Sequence, residues 1–175
     1  MQLDALPRLA PSRPSRVTLE AVPDGEAGIR ATLKRMRDQV NEAKADPAIY
    51  DKAREIIRYE PQKNFPQEAR AVQAWVQQHI RYTRDPTDMD SLQEPSKTLE
   101  LGMGDCNNQS TLVAALLNSI GARTRFHAIG PEPGVFTHVF TEVLIDGSWF
   151  ALETTEPWAF GQQYPGRTSH MLVNV

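Results

Sequence analysis

The stretch Gly102-Met103-Gly104-Asp105-Cys106-Asn107-Asn108-Gln109-Ser110 constrains the chain more than any other. It runs into the apolar segment 111–120, where Val113, Leu116, Leu117 and Ile120 fall on one side of a helix. Asp105 is a fitting N-cap and Gly121 a fitting stop, so the pattern predicts a helix over 106–119 with Cys106 in its first turn. Cys106 is the only cysteine. It cannot form an internal disulfide, which points to a free thiol in a reducing compartment. Helix N-termini lower a thiol's pKa, because their unpaired N–H groups and dipole favour negative charge. The backbone N–H of Cys106 is also positioned to meet an oxyanion. A lone cysteine is as a rule a small buried hydrophobe, so position alone assigns it no chemistry.

The C-terminal third supplies a partner. Asp146-Gly147 lies between two alternating runs, the strongest short hairpin signal. Counting outward pairs Ile145 with Ser148, Leu144 with Trp149, Val143 with Phe150, Glu142 with Ala151 and Thr141 with Leu152. Phe140 then faces Glu153, and His138 faces Thr155. His138 and Glu153 thus lie on one face as diagonal neighbours, within reach of each other. A carboxylate beside a histidine fixes its tautomer and stabilises its cation. Glu142 shares the face and competes as orienter, Glu156 lies past the strand, and His127 on the preceding strand competes as base. Only His138 has a carboxylate by register. A zinc site from Cys106, His127 and His138 lacks any closely spaced ligand pair.

The rest of the chain reads as scaffold. Helices are predicted over 26–45, 46–59 and 67–80, with a short helical turn over 96–101. Strands are predicted over 123–129, 135–145, 148–154 and 171–175. His79 falls on the polar side of its helix and reads as an exposed histidine. Residues 85–95 read as a polar loop in which Asp85, Asp88 and Asp90 suggest calcium, without the glycine and closing glutamate of an EF-hand loop. Residues 1–24 carry four prolines and three arginines with no helical or strand period, and read as an extended arm able to dock on a protein partner. The fold class is α+β, with the cysteine helix packed on an antiparallel sheet of three to five strands. The predicted layout is an arm over 1–24, a helical extension over 25–60 and a main domain over 61–175.

Composition closes off other classes. A net charge of -3 and a pI near 5.8 argue against nucleic-acid binding. No apolar run approaches a membrane span and the first residues lack a signal-peptide core, so a cytoplasmic protein is expected. No cofactor is implied.

The segment 67–158 resembles the transglutaminase-like superfamily of papain-like cysteine enzymes. The resemblance rests on Gln77-Gln78-His79-Ile80-Arg81-Tyr82, then 95–101, Gly104-Asp105-Cys106, and Leu116-Leu117-Asn118-Ser119-Ile120-Gly121-Ala122-Arg123. It continues with His138-Val139-Phe140-Thr141-Glu142-Val143 and Asp146-Gly147-Ser148-Trp149-Phe150-Ala151-Leu152-Glu153. It implies a papain-like fold with Cys106 as nucleophile, His138 as base and Glu153 as third member, where the family usually has aspartate. The family spans transglutaminases, peptidases, deglycosylating amidases and members with no known activity, so the fold does not choose the reaction.

The expected function is therefore thiol acyl chemistry on a protein or peptide amide, with Tyr82 as a second oxyanion donor beside the Cys106 N–H. The competing expectation is an assembly subunit of a larger particle, such as a phage virion, that keeps a vestigial site and docks through 1–24.

Overall fold

In a computed structural model, which describes residues 16–20, 25–84 and 90–175, the chain begins with a short strand, β1 (Val17–Glu20). Helix α1 (Gly25–Ala43) follows and buries Leu33, Met36 and Val40. Asp46 caps α2 (Pro47–Ile56) by accepting from the Ala48 N–H at 2.9 Å, with Pro47 at the helix start. Asn64 does the same for α3 (Phe65–His79) through the Gln67 N–H. Four short elements precede the cysteine: β2 (Arg81–Tyr82), β3 (Asp90–Gln93), α4 (Pro95–Leu101) and β4 (Met103–Gly104). Gly102 ends α4 in the left-handed region (φ 61°), a conformation that costs glycine little.

Helix α5 (Cys106–Ser119) has the bounds the sequence suggests. Its Leu112, Val113, Ala114, Ala115, Leu116 and Leu117 are all fully buried. A helix that is apolar all round must be covered all round. Helices α1 to α4 pack against it on one side, and strands β5 (Thr124–Gly130) and β6 (His138–Ile145) on the other. With β7 (Ser148–Leu152) and β8 (Ser169–Asn174) these form an antiparallel sheet in the order β7-β6-β5-β8. The β6–β7 register runs from Ile145↔Ser148 to Thr141↔Leu152, as the hairpin count predicts. Phe126, Ala128, Val139, Val143 and Leu152 join the core beside α5. The opposite face carries a smaller cluster of Ile129, Phe140 and Ala151, with Tyr164 packed on it.

Two expectations need correction. Residues 17–20, read as part of a periodless arm, form β1, and residues 90–93, read as loop, form β3. The two strands pair antiparallel, from Val17↔Gln93 to Glu20↔Asp90. Residues 1–15, 21–24 and 85–89 lie outside the described residues, and with them most of the docking arm and of the suggested calcium loop. The helices expected as an extension share one core with α5: Leu33, Met36, Val40, Ile49 and Ala53 belong to the same apolar cluster as Leu112 to Leu117.

Candidate active site

The loop before α5 presents the cysteine. Strands β2 and β4 pair in parallel, Arg81↔Met103 and Tyr82↔Gly104, so Tyr82 lies alongside the approach to Cys106. Gly104 leaves no room for a side chain: a Cβ there would stand 2.7 Å from the Asn108 Cβ. Asp105 caps α5 by accepting from the Asn108 N–H at 2.9 Å. The Asn108 Oδ1 in turn accepts from the Gln93 N–H at 2.8 Å, fastening the helix start to β3.

Cys106 is half-buried. The sequence argument for a lowered thiol pKa is corrected here. Burial of the thiol, and then the like-signed charge of Asp105, push Cys106 up to about 12. Hydrogen bonds from the backbone of Val139 and Asn107 work the other way and are outweighed. The same residue that caps the helix thus opposes the thiolate, and at neutral pH the sulfur keeps its proton. Val139 directly follows His138, so its contact with the sulfur brings Cys106 to the start of β6.

His138 and Glu153 meet as the register predicts. The Glu153 Oε2 lies 2.7 Å from His138 Nε2. An ionised carboxylate only accepts, so Nε2 carries the hydrogen and Nδ1 of the neutral ring is left as the basic nitrogen. Glu153 is 1% exposed and needs partners. It has four donors: the His138 ring and the Tyr164 hydroxyl on Oε2, and the Thr155 N–H and hydroxyl on Oε1. Burial works to raise its pKa, but the hydrogen bond and charge of His138, then Tyr164 and Thr155, outweigh it and hold the carboxyl below its ordinary value.

Three residues that hold Glu153 escape a reading of the sequence. Tyr164 sits in a segment that reads as loop, yet its hydroxyl lies 2.9 Å from His138 Nε2 and its ring packs on Phe140 and Trp158. Gln73 and Gln77 project from α3, and both donate to the Glu153 carbonyl at 2.9 Å and to the Trp158 carbonyl. The Gln-x-x-x-Gln spacing on one helix face was the available signal.

The competing residues are engaged elsewhere. Glu142 accepts from Arg125 Nε and pairs with His127 Nδ1 at 3.0 Å. Against burial, His127 and Arg125 hold its carboxyl below the ordinary value. The other nitrogen of His127 faces His170 Nδ1 at 2.9 Å, so neither ring nitrogen is left to serve Cys106. Glu156 is exposed. His79 is exposed as expected and stacks on Trp75, with ring centroids 4.6 Å apart. Tyr82 is 45% exposed, and burial is the leading cause that raises its phenol. Among the described residues no group of three or more His, Cys, Asp or Glu is arranged to hold a metal ion.

Among the solved structures that share this fold are two candidate proteases. One is a candidate protease from Parabacteroides distasonis (TM-score 0.60, 11% identity, covering 81% of this chain and 36% of that one). Another is a candidate cysteine protease from Cytophaga hutchinsonii (TM-score 0.51, 14% identity, covering 73% of this chain and 51% of that one). The chain therefore spans about a third and about half the length of these two proteins. No curated protein sequence is significantly similar. The family model described as "Transglutaminase-like superfamily" matches residues 50–154, a span that takes in α3, α5, the hairpin, and Cys106, His138 and Glu153. The chain belongs to the transglutaminase-like superfamily.

Proposed function

We propose that the chain is a cysteine hydrolase or acyltransferase acting on amides through Cys106, His138 and Glu153. One observation carries this reading: the 2.7 Å bond from His138 Nε2 to a buried, well-donated carboxylate leaves a basic Nδ1 on the residue next to Val139, whose backbone bonds the sulfur of Cys106. Because the thiol is held protonated at neutral pH, His138 acts as general base rather than as half of a standing ion pair. Nδ1 takes the thiol proton as the sulfur attacks the carbonyl carbon. The Cys106 N–H, with Tyr82 as second donor, receives the oxyanion. His138 returns the proton to the leaving amine, and a thioester remains. Water or a second amine, deprotonated by His138, then releases the acyl group. Water makes the chain a peptidase or amidase, and an amine makes it a transferase.

The test is acylation by 4-nitrophenyl acetate, followed by mass spectrometry of the intact protein. One acetyl group is expected on Cys106 and none on Cys106→Ala. His138→Ala should slow the step by roughly 10²–10⁴-fold, the usual contribution of a positioned base. Modification scattered over lysines, or a Cys106 rate indifferent to His138, would refute the reading. Comparing release into water with release into added glycine amide separates hydrolysis from transfer.

A further inference from the structure

We propose that Tyr164 is a positioning residue for the His138–Glu153 pair, acting through its hydroxyl, and that it sets the basicity of His138. The inference rests on the catalytic reading above. The hydroxyl donates to Glu153 Oε2, the same oxygen that receives His138 Nε2–H, and it lies 2.9 Å from that nitrogen. Three groups therefore share one point. Burial, followed by the hydrogen bond and charge of Glu153, raises the phenol's pKa, so the hydroxyl stays protonated and stays a donor. The ring is fixed from several sides. Trp158 packs at 4.2 Å between centroids, Phe140 stacks at 5.5 Å, and the Arg167 guanidinium lies 5.7 Å from its centre.

Two consequences follow from the shared oxygen. A second donor on Oε2 spreads the negative charge that His138 sees, so the carboxylate supports the imidazolium less strongly than a singly donated one would. It also makes Glu153 a poorer proton acceptor, so the Nε2 proton stays on the ring when Nδ1 takes the proton from Cys106. The hydroxyl thus tempers the support that Glu153 gives the ring and keeps the exchange of His138 with the thiol on Nδ1.

The experiment follows Cys106 acetylation by 4-nitrophenyl acetate against pH in wild type, Tyr164→Phe and His138→Ala. In wild type the rate climbs as His138 loses its proton. Tyr164→Phe should move that limb to higher pH by about half a unit or more and lower the rate below the limb by about threefold or more, half a unit being roughly threefold in the basic form. Proton-detected NMR of the His138 ring gives a readout free of activity, and its titration should shift upward in the same variant. A lower plateau with an unmoved limb would reduce Tyr164 to packing and overturn the proposal. So would an unchanged profile. If His138→Ala matches wild type, the catalytic reading fails first, and the NMR titration alone then decides whether Tyr164 tunes the ring.

Discussion

Cys106 shows how one residue can serve the helix and oppose the chemistry. Asp105 satisfies the first turn of α5, and its carboxylate stands next to the sulfur it raises. An asparagine caps about as well as an aspartate and carries no charge. Asp105→Asn should therefore leave the unfolding midpoint nearly unchanged and bring the Cys106 thiol down. At a fixed pH near neutrality, alkylation by iodoacetamide should speed up about threefold to tenfold, one pKa unit being tenfold in thiolate. An unchanged rate would mean that burial alone holds the proton. At this scale the sequence was partly legible. The cap, the helix start and the cysteine could be read from 102–110, because capping is local. The direction of the thiol's shift could not, because it depends on burial of the sulfur in the folded chain, which no local pattern reports. The pairing of His138 with Glu153 could be read because a two-residue turn fixes a register. Tyr164 could not, since a loop has no period to count along.

Among the elements, α3 does more than fill the core. Gln73 and Gln77 grip the chain just after β7, the segment that delivers the Glu153 carboxylate, and both reach the same two carbonyls. Their overlap predicts non-additivity. Gln73→Ala should cost about 1 kcal/mol in urea unfolding, the low end for an unsatisfied buried group, because Gln77 remains. The double variant should lose more than the sum of the singles and should slow Cys106 acylation as the Glu153 backbone loosens. Strict additivity, or normal acylation in the double variant, would show that β7 alone holds Glu153 in place. The long helices and the hairpin were legible from periodicity, with ends displaced by a few residues. Strands β1, β2, β3 and β4 were not recognised as paired, because two to four residues carry too little alternation to distinguish a strand from an extended loop. Two of them, β2 and β4, set the approach to Cys106, so the least legible elements lie next to the proposed chemistry.

Across the whole molecule, the two faces of the sheet are held by different forces. One face is apolar and packs on α5. The other is tied by a polar chain from Arg125 to Glu142, His127 and His170, which links β5, β6 and β8 and ends on the Arg167 carbonyl. Glu142 and Glu153 both have carboxyls held below their ordinary value in the fold, against burial, by these basic partners and hydrogen bonds. A depressed carboxyl contributes stability that is complete above the unfolded value, about 4.3 for glutamate, and is lost as pH falls through the folded value. Urea unfolding should therefore give a free energy that is level from pH 7 to about pH 5 and declines below it, as the unfolded glutamates begin to bind protons. Glu142→Gln lowers the pH 7 value and removes one of the two titrating groups, so its curve should be flatter, by an amount on the order of 1 kcal/mol once solvent screening is allowed for. The remaining slope then belongs largely to Glu153 and should flatten further in Glu142→Gln with Glu153→Gln. If the single variant kept the full wild-type slope, the polar face would be a passive surface, and the acid sensitivity of the fold would lie with the proposed catalytic pair alone.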